Sequence, residues 1–178
     1  MTALKAALES VFPSSCFLTG TKIGEKGRVF SIRKQKQEQI IGLGLESIPS
    51  WPAGRRRCDG AFICRTPERK DFMVVLIELK GGHREKALEQ IKESRSVMCR
   101  GSSEFPALHD EQQLSIFRSA GLTNHGKSLT GIVVGRRSLA LKQRERADLR
   151  KNYGIKIKFI TGGAKSIASA ELWKWSDE

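Results

Sequence analysis

The sequence predicts an α/β domain in which one mixed β-sheet is flanked by helices. The strongest observation is the segment 72–79 (FMVVLIEL), whose β-branched and apolar residues on both faces are typical of a central strand covered on two sides. An amphipathic helix and another apolar strand follow it, and this order implies a right-handed parallel crossover. Because the chain has 178 residues, we expect residues 1–178 to form a single domain.

The other elements are predicted in chain order. The chain begins with an amphipathic helix, since Leu4, Ala7 and Leu8 recur at helical spacing, and the Pro, Ser and Gly residues within 13–27 predict a loop. The later elements are strands at 28–32 and 39–45 joined by a polar hairpin tip at 34–38, a short strand at 57–64, the central strand, a helix at 83–98, a weaker helix at 109–118, a strand at 130–134, a charged helix at 136–153, a strand at 155–160, and a terminal segment at 165–175 that is either helical or extended.

Charge restricts the partners that the chain is expected to bind. Thirty-two Lys and Arg residues against 19 Asp and Glu residues give a net charge of +13, which either favours a polyanion such as nucleic acid or only keeps the protein in solution. No apolar run approaches the roughly 20 residues that span a membrane, and the first residues lack the apolar stretch of a signal peptide. We therefore expect a cytoplasmic protein that does not enter a membrane.

Two charged residues stand at the end of the predicted central strand. Glu78 and Lys80 are two residues apart, so their side chains point to the same face of an extended strand, just before a pair of glycines. The preceding strand carries Asp59, which would meet them if the two strands pair through the turn near Pro67. The alternative is an ordinary salt bridge between Glu78 and Lys80. If the three residues converge, they form a site at the end of the sheet.

This combination of residue types indicates metal-assisted chemistry on phosphate. An Asp, a Glu and a backbone carbonyl are hard oxygen ligands of the kind that Mg²⁺ or Mn²⁺ prefers. Such an ion polarises a phosphoryl oxygen and lowers the pKa of a bound water, and a neighbouring lysine orients that water and stabilises the developing charge. The pattern therefore predicts a metal-dependent hydrolase acting on phosphodiester bonds.

The segments CDGAFIC, FMVVLIELKGG and ALEQIKES resemble the core of the PD-(D/E)xK nuclease superfamily, the fold of type II restriction enzymes and archaeal Holliday-junction resolvases. The resemblance covers about 57–94 and implies a restriction endonuclease-like fold. It also implies that Asp59 and Glu78 are metal ligands, that the Leu79 carbonyl is a third ligand, that Lys80 is the catalytic lysine, and that Gln90 faces the site from the following helix.

Two further features bear on this resemblance. Cys58 stands where many members of the superfamily have a proline before the first acid. Many members also have a glutamate on the first helix that completes the metal shell; Glu9 is favoured by its position, and Glu46 is the second candidate.

Basic residues near the predicted site suggest how nucleic acid is held. Arg55, Arg56 and Arg57 lead into the strand with Asp59, and Arg136 and Arg137 begin a charged helix that is either a phosphate-binding or a solvated face. We expect a Mg²⁺- or Mn²⁺-dependent endonuclease acting on DNA in repair, recombination or phage defence. A homodimer would supply two sites for cutting both strands. The alternative is an inactive protein of this fold that binds nucleic acid or a protein partner.

Overall fold

The computed structural model of the chain describes residues 3–10, 12–49, 51–69, 72–79, 83–100, 129–135, 141–162 and 164–177. Within these ranges the helices and strands form a mixed α/β fold, with a strand at Lys22–Glu25 that the sequence did not predict, and the predicted helix at 109–118 lies outside the described residues. In chain order they are α1 (Ala3–Glu9), β1 (Lys22–Glu25), β2 (Arg28–Arg33), β3 (Gln39–Gly44), β4 (Gly60–Arg65), β5 (Met73–Glu78), α2 (Arg84–Arg100), β6 (Leu129–Gly135), α3 (Gln143–Tyr153), β7 (Lys156–Thr161), β8 (Ala164–Ala168) and α4 (Ser169–Asp177).

The larger sheet has five strands in the order β3-β4-β5-β6-β7. The strands β3, β4 and β5 are antiparallel, whereas β5, β6 and β7 run parallel. The apolar strand β5 is therefore central, and all six of its residues are buried. The predictions of a mixed sheet, of pairing between the strands that carry Asp59 and Glu78, and of a parallel strand after the helix are confirmed.

A second sheet of three strands, in the order β1-β2-β8, packs against the first. The predicted hairpin between 28–32 and 39–45 is wrong, because β2 pairs with β1 and β8 while β3 pairs with β4. The reason is that β2 buries Phe30 and Ile32 against the face of the larger sheet, where the rings of Phe30 and Phe62 lie 6.2 Å apart. The segment 34–38 therefore connects two layers instead of two neighbouring strands.

The segment 13–27, predicted as a loop, contains the strand β1. Glu25 pairs with Arg28, and the two residues between them, Lys26 and Gly27, have φ angles of 47° and 77°. Positive φ at both central positions is the geometry of a tight hairpin turn that matches strand twist. This turn brings β1 and its charged residues over the end of the larger sheet. The terminal segment, predicted as helical or extended, forms β8 and then α4.

Apolar side chains form two cores, one on each face of the larger sheet. Leu4 of α1 and Ile91 of α2 pack on one face with Val74 and Leu76 of β5. The second sheet and α4 cover the other face, which receives the alternate residues of β5. This division explains why β5 is apolar on both sides. Among the residues that the structure describes, no helix is long and apolar enough to cross a membrane.

Candidate functional site

Asp59 and Glu78 meet where β4 begins and β5 ends. Gly60 pairs with Ile77, so an extension of this antiparallel register by one residue sets Asp59 opposite Glu78. The Asp59 carboxylate Oδ2 accepts a hydrogen bond of 2.5 Å from the backbone N–H of Leu79. This bond joins the bend before β4 to the end of β5, and it anchors Asp59 to the residue that follows Glu78.

The two carboxylates lie in different surroundings. Glu78 is completely buried, whereas Asp59 is half-buried at the end of the sheet. The pKa of the neighbouring Cys58 thiol is raised to about 12, chiefly by burial and further by the charges of Glu78 and Asp59. The thiol is therefore neutral at physiological pH and packs as a small apolar group beside both acids.

Helix α2 holds the chain segment that precedes Asp59. The Gln90 amide donates a hydrogen bond of 2.7 Å to the carbonyl of Arg57, and the N–H of Cys58 donates one of 2.8 Å to the buried hydroxyl of Ser94. Gln90 and Ser94 are four residues apart and therefore lie on the same side of the helix. Gln90, predicted to face the site, contacts the backbone two residues before Asp59, so its structural effect is to position that acid.

The hairpin turn between β1 and β2 brings a third carboxyl group to Asp59. The pKa of Asp59 is raised from its ordinary 3.8 to about 6, first by burial and then by the Glu25 carboxyl, with a smaller contribution from Glu46. The hydrogen bond from Leu79 opposes this rise. On the turn itself, Lys26 forms an ion pair of 2.9 Å with Glu25, and its pKa is raised by Glu25 and by the charges of Asp59 and Glu46.

Arg28, which follows the same turn, contacts the backbone of the site. Its guanidinium Nη1 donates a hydrogen bond of 2.9 Å to the carbonyl oxygen of Leu79, the atom that the resemblance implies as a metal ligand. The Nε–H group of Arg28 is buried and has no hydrogen-bond acceptor among the described residues. A carbonyl oxygen has two lone pairs, and the hydrogen bond from Arg28 uses one of them.

The two candidates for a further acid differ in their surroundings. Glu46, in the short 3₁₀ turn Leu45–Ser47 after β3, acts electrostatically on Asp59. Glu9 lies on α1, where it forms an ion pair of 3.5 Å with Lys5. Only Glu46 is thus linked to Asp59 by an interaction that the structure describes, although the sequence analysis favoured Glu9.

The basic residues predicted to bind nucleic acid are only partly described. Arg56 forms an ion pair with Glu89 of α2, and its backbone N–H bonds to Glu93, so its guanidinium is engaged within the protein. Arg55 is exposed and Arg57 is half-buried. The residues Lys80, Arg136 and Arg137 lie outside the described ranges.

Three residues of this site were missed by the sequence analysis. Glu25 and Arg28 lie on a segment predicted as a loop, and Lys-Gly is not among the dipeptides that most strongly indicate a two-residue hairpin turn. Ser94 was recognised only as part of the helical stripe that packs on the sheet. A small polar residue within an apolar stripe is a sign of a buried hydrogen bond.

The donor set is compatible with a small divalent cation. In the described part of the chain, no group of three or more His, Cys, Asp or Glu side chains is arranged to hold a metal ion. Mg²⁺, however, is commonly bound through one or two carboxylates and keeps several of its waters. Asp59, Glu78 and the Leu79 carbonyl are neighbours along the backbone at this end of the sheet, and they are the donors that such a site would use. No protein-family model, no curated protein and no solved structure matches this chain.

Proposed function

We propose that this protein is a metal-dependent endonuclease that hydrolyses phosphodiester bonds in DNA. The observation that carries the proposal is the hydrogen bond between the Asp59 carboxylate and the Leu79 N–H, in a register that sets Asp59 opposite Glu78. Two acids and a carbonyl oxygen at the end of a buried strand are groups that the PD-(D/E)xK resemblance implies as metal ligands. In this proposal the fold is restriction endonuclease-like.

Asp59, Glu78 and the Leu79 carbonyl are the residues that would hold Mg²⁺ or Mn²⁺. When bound, such an ion supplies a Lewis acid for the phosphoryl oxygen and a water of lowered pKa. The protein residues supply orientation. Gln90 and Ser94 of α2 fix the segment before Asp59, so that its carboxylate stays at the end of β5.

The positive groups beside the acids would receive the substrate phosphate. Arg28 uses Nη1 on the Leu79 carbonyl, and its Nη2 group would donate to a phosphate oxygen. Lys80 follows Glu78 by two residues, and in the proposal its ammonium group orients the attacking water and stabilises charge in the transition state. The charges of these two cations would offset the negative charge of the acids.

The cluster of acids disfavours the alternative function, in which the protein binds nucleic acid but does not cut it. Burial, and then Glu25 and Glu46, raise the pKa of Asp59 to about 6, so ionisation of Asp59 is unfavourable unless a metal cation binds beside it. A surface that only holds phosphates gains nothing from carboxylates, because they repel the ligand. Carboxylates close to basic side chains do serve a function where a divalent metal ion binds both the carboxylates and the substrate phosphate.

The proposal is tested by cleavage of plasmid, linear, branched and single-stranded DNA, and of RNA, with Mg²⁺, Mn²⁺ or EDTA. We expect metal-dependent cleavage of DNA that Glu78→Gln and Lys80→Gln each reduce by roughly 100-fold or more. Glu68→Gln, which removes the same charge from an exposed position, is the matched control and should be fully active. Cleavage that persists in EDTA, or in Glu78→Gln, would contradict the proposal.

Two further proposals concern the cellular location and the oligomeric state of the protein. We propose a cytoplasmic location and a homodimer, since a single site of this kind cuts one strand and a duplex then needs two. The mass in solution, measured by light scattering with and without a DNA duplex, tests the dimer. A monomer that cuts both strands of a duplex in one binding event would contradict it.

A further inference from the structure

A groove about 520 Å³ in volume runs along the outer edge of β7, between α3 and the end of α4. Four cations line it, and no carboxylate is among the described residues that do so. Its cations and aromatic rings are Arg146, Arg150, Lys156, Lys158, Phe159 and Trp175. We call it the edge groove. In a protein that also carries 19 acidic residues, this local charge selects for an anionic ligand.

The positive charge of the edge groove follows from the spacing of residues in α3. Arg146 and Arg150 are four residues apart and therefore share one face of the helix. The acids of α3 are engaged elsewhere, because Glu145 forms an ion pair with Arg84 of α2 and Asp148 accepts a hydrogen bond from Asn152.

The strand β7 supplies the other cations from alternate positions. Lys156 and Lys158 are two residues apart, so they point to the same face of β7. As the last strand of the larger sheet, β7 has an outer edge on which lysines also disfavour pairing with a peptide strand. This argues for a charged ligand and against an added β-strand.

An aromatic ring is fixed at the edge groove. Trp175 is half-buried, in contrast to Trp51 and Trp173, which are 8% and 6% exposed. The Lys158 ammonium lies 4.8 Å from the centroid of the Trp175 ring, and Lys156 donates a hydrogen bond of 3.3 Å to the Trp175 carbonyl. A partly exposed aromatic ring among cations is the arrangement on which the bases of a single strand stack.

We propose that the edge groove binds a single strand of nucleic acid, with phosphates on Arg146, Arg150 and the β7 lysines and a base against Trp175. A concavity of this volume accepts a ligand of drug-like size, which corresponds to one or two nucleotides. A concavity of one or two nucleotides cannot enclose the paired strands of a duplex. The inference rests on the nucleic-acid substrate of the proposed function, and it specifies a single-stranded segment.

The sheet register connects the edge groove with the acids. Glu78 pairs with Val133, and Val133 pairs with Phe159, so Phe159 lies two strands from Glu78 at the same level of the sheet. Neighbouring strands are about 4.8 Å apart, which makes this distance about 10 Å. A strand that leaves the edge groove can therefore reach the acids within a few nucleotides. This geometry suits a DNA substrate in which the cleaved phosphodiester bond lies next to a single-stranded segment.

The test is fluorescence anisotropy with labelled dT15 and with a duplex of 15 base pairs, in EDTA, at several salt concentrations. The variant Arg146→Gln/Lys158→Gln should bind dT15 about 10-fold more weakly and show a salt slope smaller by about 1.4, since each phosphate contact on a single strand contributes about 0.7. The matched control, Lys34→Gln/Lys36→Gln, removes the same charge from an exposed loop and should bind like the unsubstituted protein.

Tryptophan fluorescence tests the contribution of Trp175 to binding. In the unsubstituted protein, dT15 should quench part of the intrinsic tryptophan fluorescence. Trp175→Leu should abolish that quenching and weaken binding about fivefold or more, whereas Trp175→Phe should preserve most of the affinity. Circular dichroism during thermal unfolding checks that each variant is folded.

Several outcomes would overturn the inference. One is an equal loss of affinity in the groove variant and in its control, and another is tighter binding of the duplex than of dT15. A third is a dimer, seen by light scattering, that dissociates in Arg146→Gln/Lys158→Gln, because a second copy would then occupy the edge groove. Binding of dT15 through the groove without cleavage under any metal condition would reject only the nuclease proposal. Cleavage abolished by Glu78→Gln, with groove variants of unchanged affinity, would reject only the groove.

Discussion

The substitution Asp59→Asn should stabilise the protein in the absence of metal at neutral pH. Asn keeps an oxygen that can accept the hydrogen bond from the Leu79 N–H, and it removes the charge that Glu25 and Glu46 repel. The pKa of Asp59 is about 6 in the folded chain and 3.8 ordinarily, so the folded state favours the neutral carboxyl. That contribution to stability is complete below pH 3.8 and is lost as the pH rises through 6.

The size of the effect follows from these two values. A rise of the pKa from 3.8 to about 6 corresponds to roughly 3 kcal/mol of lost stability once the carboxyl is ionised. Because Asp59 is only half-buried, solvent screening reduces this to about 1–2 kcal/mol. Asp59→Asn should therefore exceed the unsubstituted protein in stability by about 1–2 kcal/mol at pH 8, and by about half as much at pH 5.

The assay is urea unfolding in EDTA at pH values from 4.5 to 8, with Glu68→Gln as the control for the loss of one charge. Addition of Mg²⁺ at pH 8 should then stabilise the unsubstituted protein by about 2.7 kcal/mol at 100 times the dissociation constant, and it should stabilise Asp59→Asn much less. A difference between Asp59→Asn and the unsubstituted protein that stays constant with pH would refute the reasoning about the acid cluster. Equal stabilisation of both proteins by Mg²⁺ would refute the assignment of Asp59 as a ligand.

Three further predictions concern the surroundings of the site. Ser94→Ala removes the acceptor of the buried Cys58 N–H and should lower the free energy of unfolding by about 1–3 kcal/mol in urea. Glu46→Gln should weaken Mg²⁺-dependent stabilisation more than Glu9→Gln does, since only Glu46 acts on Asp59 in the described structure. Gly60→Ala should destabilise the fold by about 2 kcal/mol or more, because the added Cβ would lie 2.7 Å from a carbonyl oxygen of β3.

Each of these predictions has a contrasting outcome. Ser94→Thr retains a hydroxyl and should recover part of the stability; a Ser94→Ala protein as stable as its parent would show that the Cys58 bond contributes nothing. A larger effect of Glu9→Gln on Mg²⁺ binding would restore Glu9 as the additional acid. Gly44→Ala is the control for Gly60→Ala, since its nearest neighbour is a side-chain atom at 3.4 Å, and equal losses in the two would indicate a general cost of alanine in these strands.

The centre of the fold and of the site could be predicted because their signals are local. The strand β5 is apolar at successive positions, which requires cover on both faces. Only seven residues separate it from β4, so the pairing of these neighbours follows from chain order. Glu78 is then the last residue of the central strand, and antiparallel pairing with the preceding strand sets Asp59 opposite it. Nothing described bears on Lys80, Arg136 or Arg137, whose roles stay predictions.

Tertiary structure alone decided the second layer. The strand β2 could not be assigned from its neighbours in sequence, because its parallel partner β8 is more than a hundred residues away and is chosen by how both bury their apolar faces on the larger sheet. The position of the turn between β1 and β2 over the acids depends on that choice, so the contacts of Glu25 and Arg28 could not be derived from periodicity. Hydrogen bonds such as those of Gln90 and Ser94 join segments about 35 residues apart, and only packing of α2 on the sheet brings them together. Residue type and periodicity thus indicate the candidate groups of the site, whereas long-range packing sets the contacts that hold them in place.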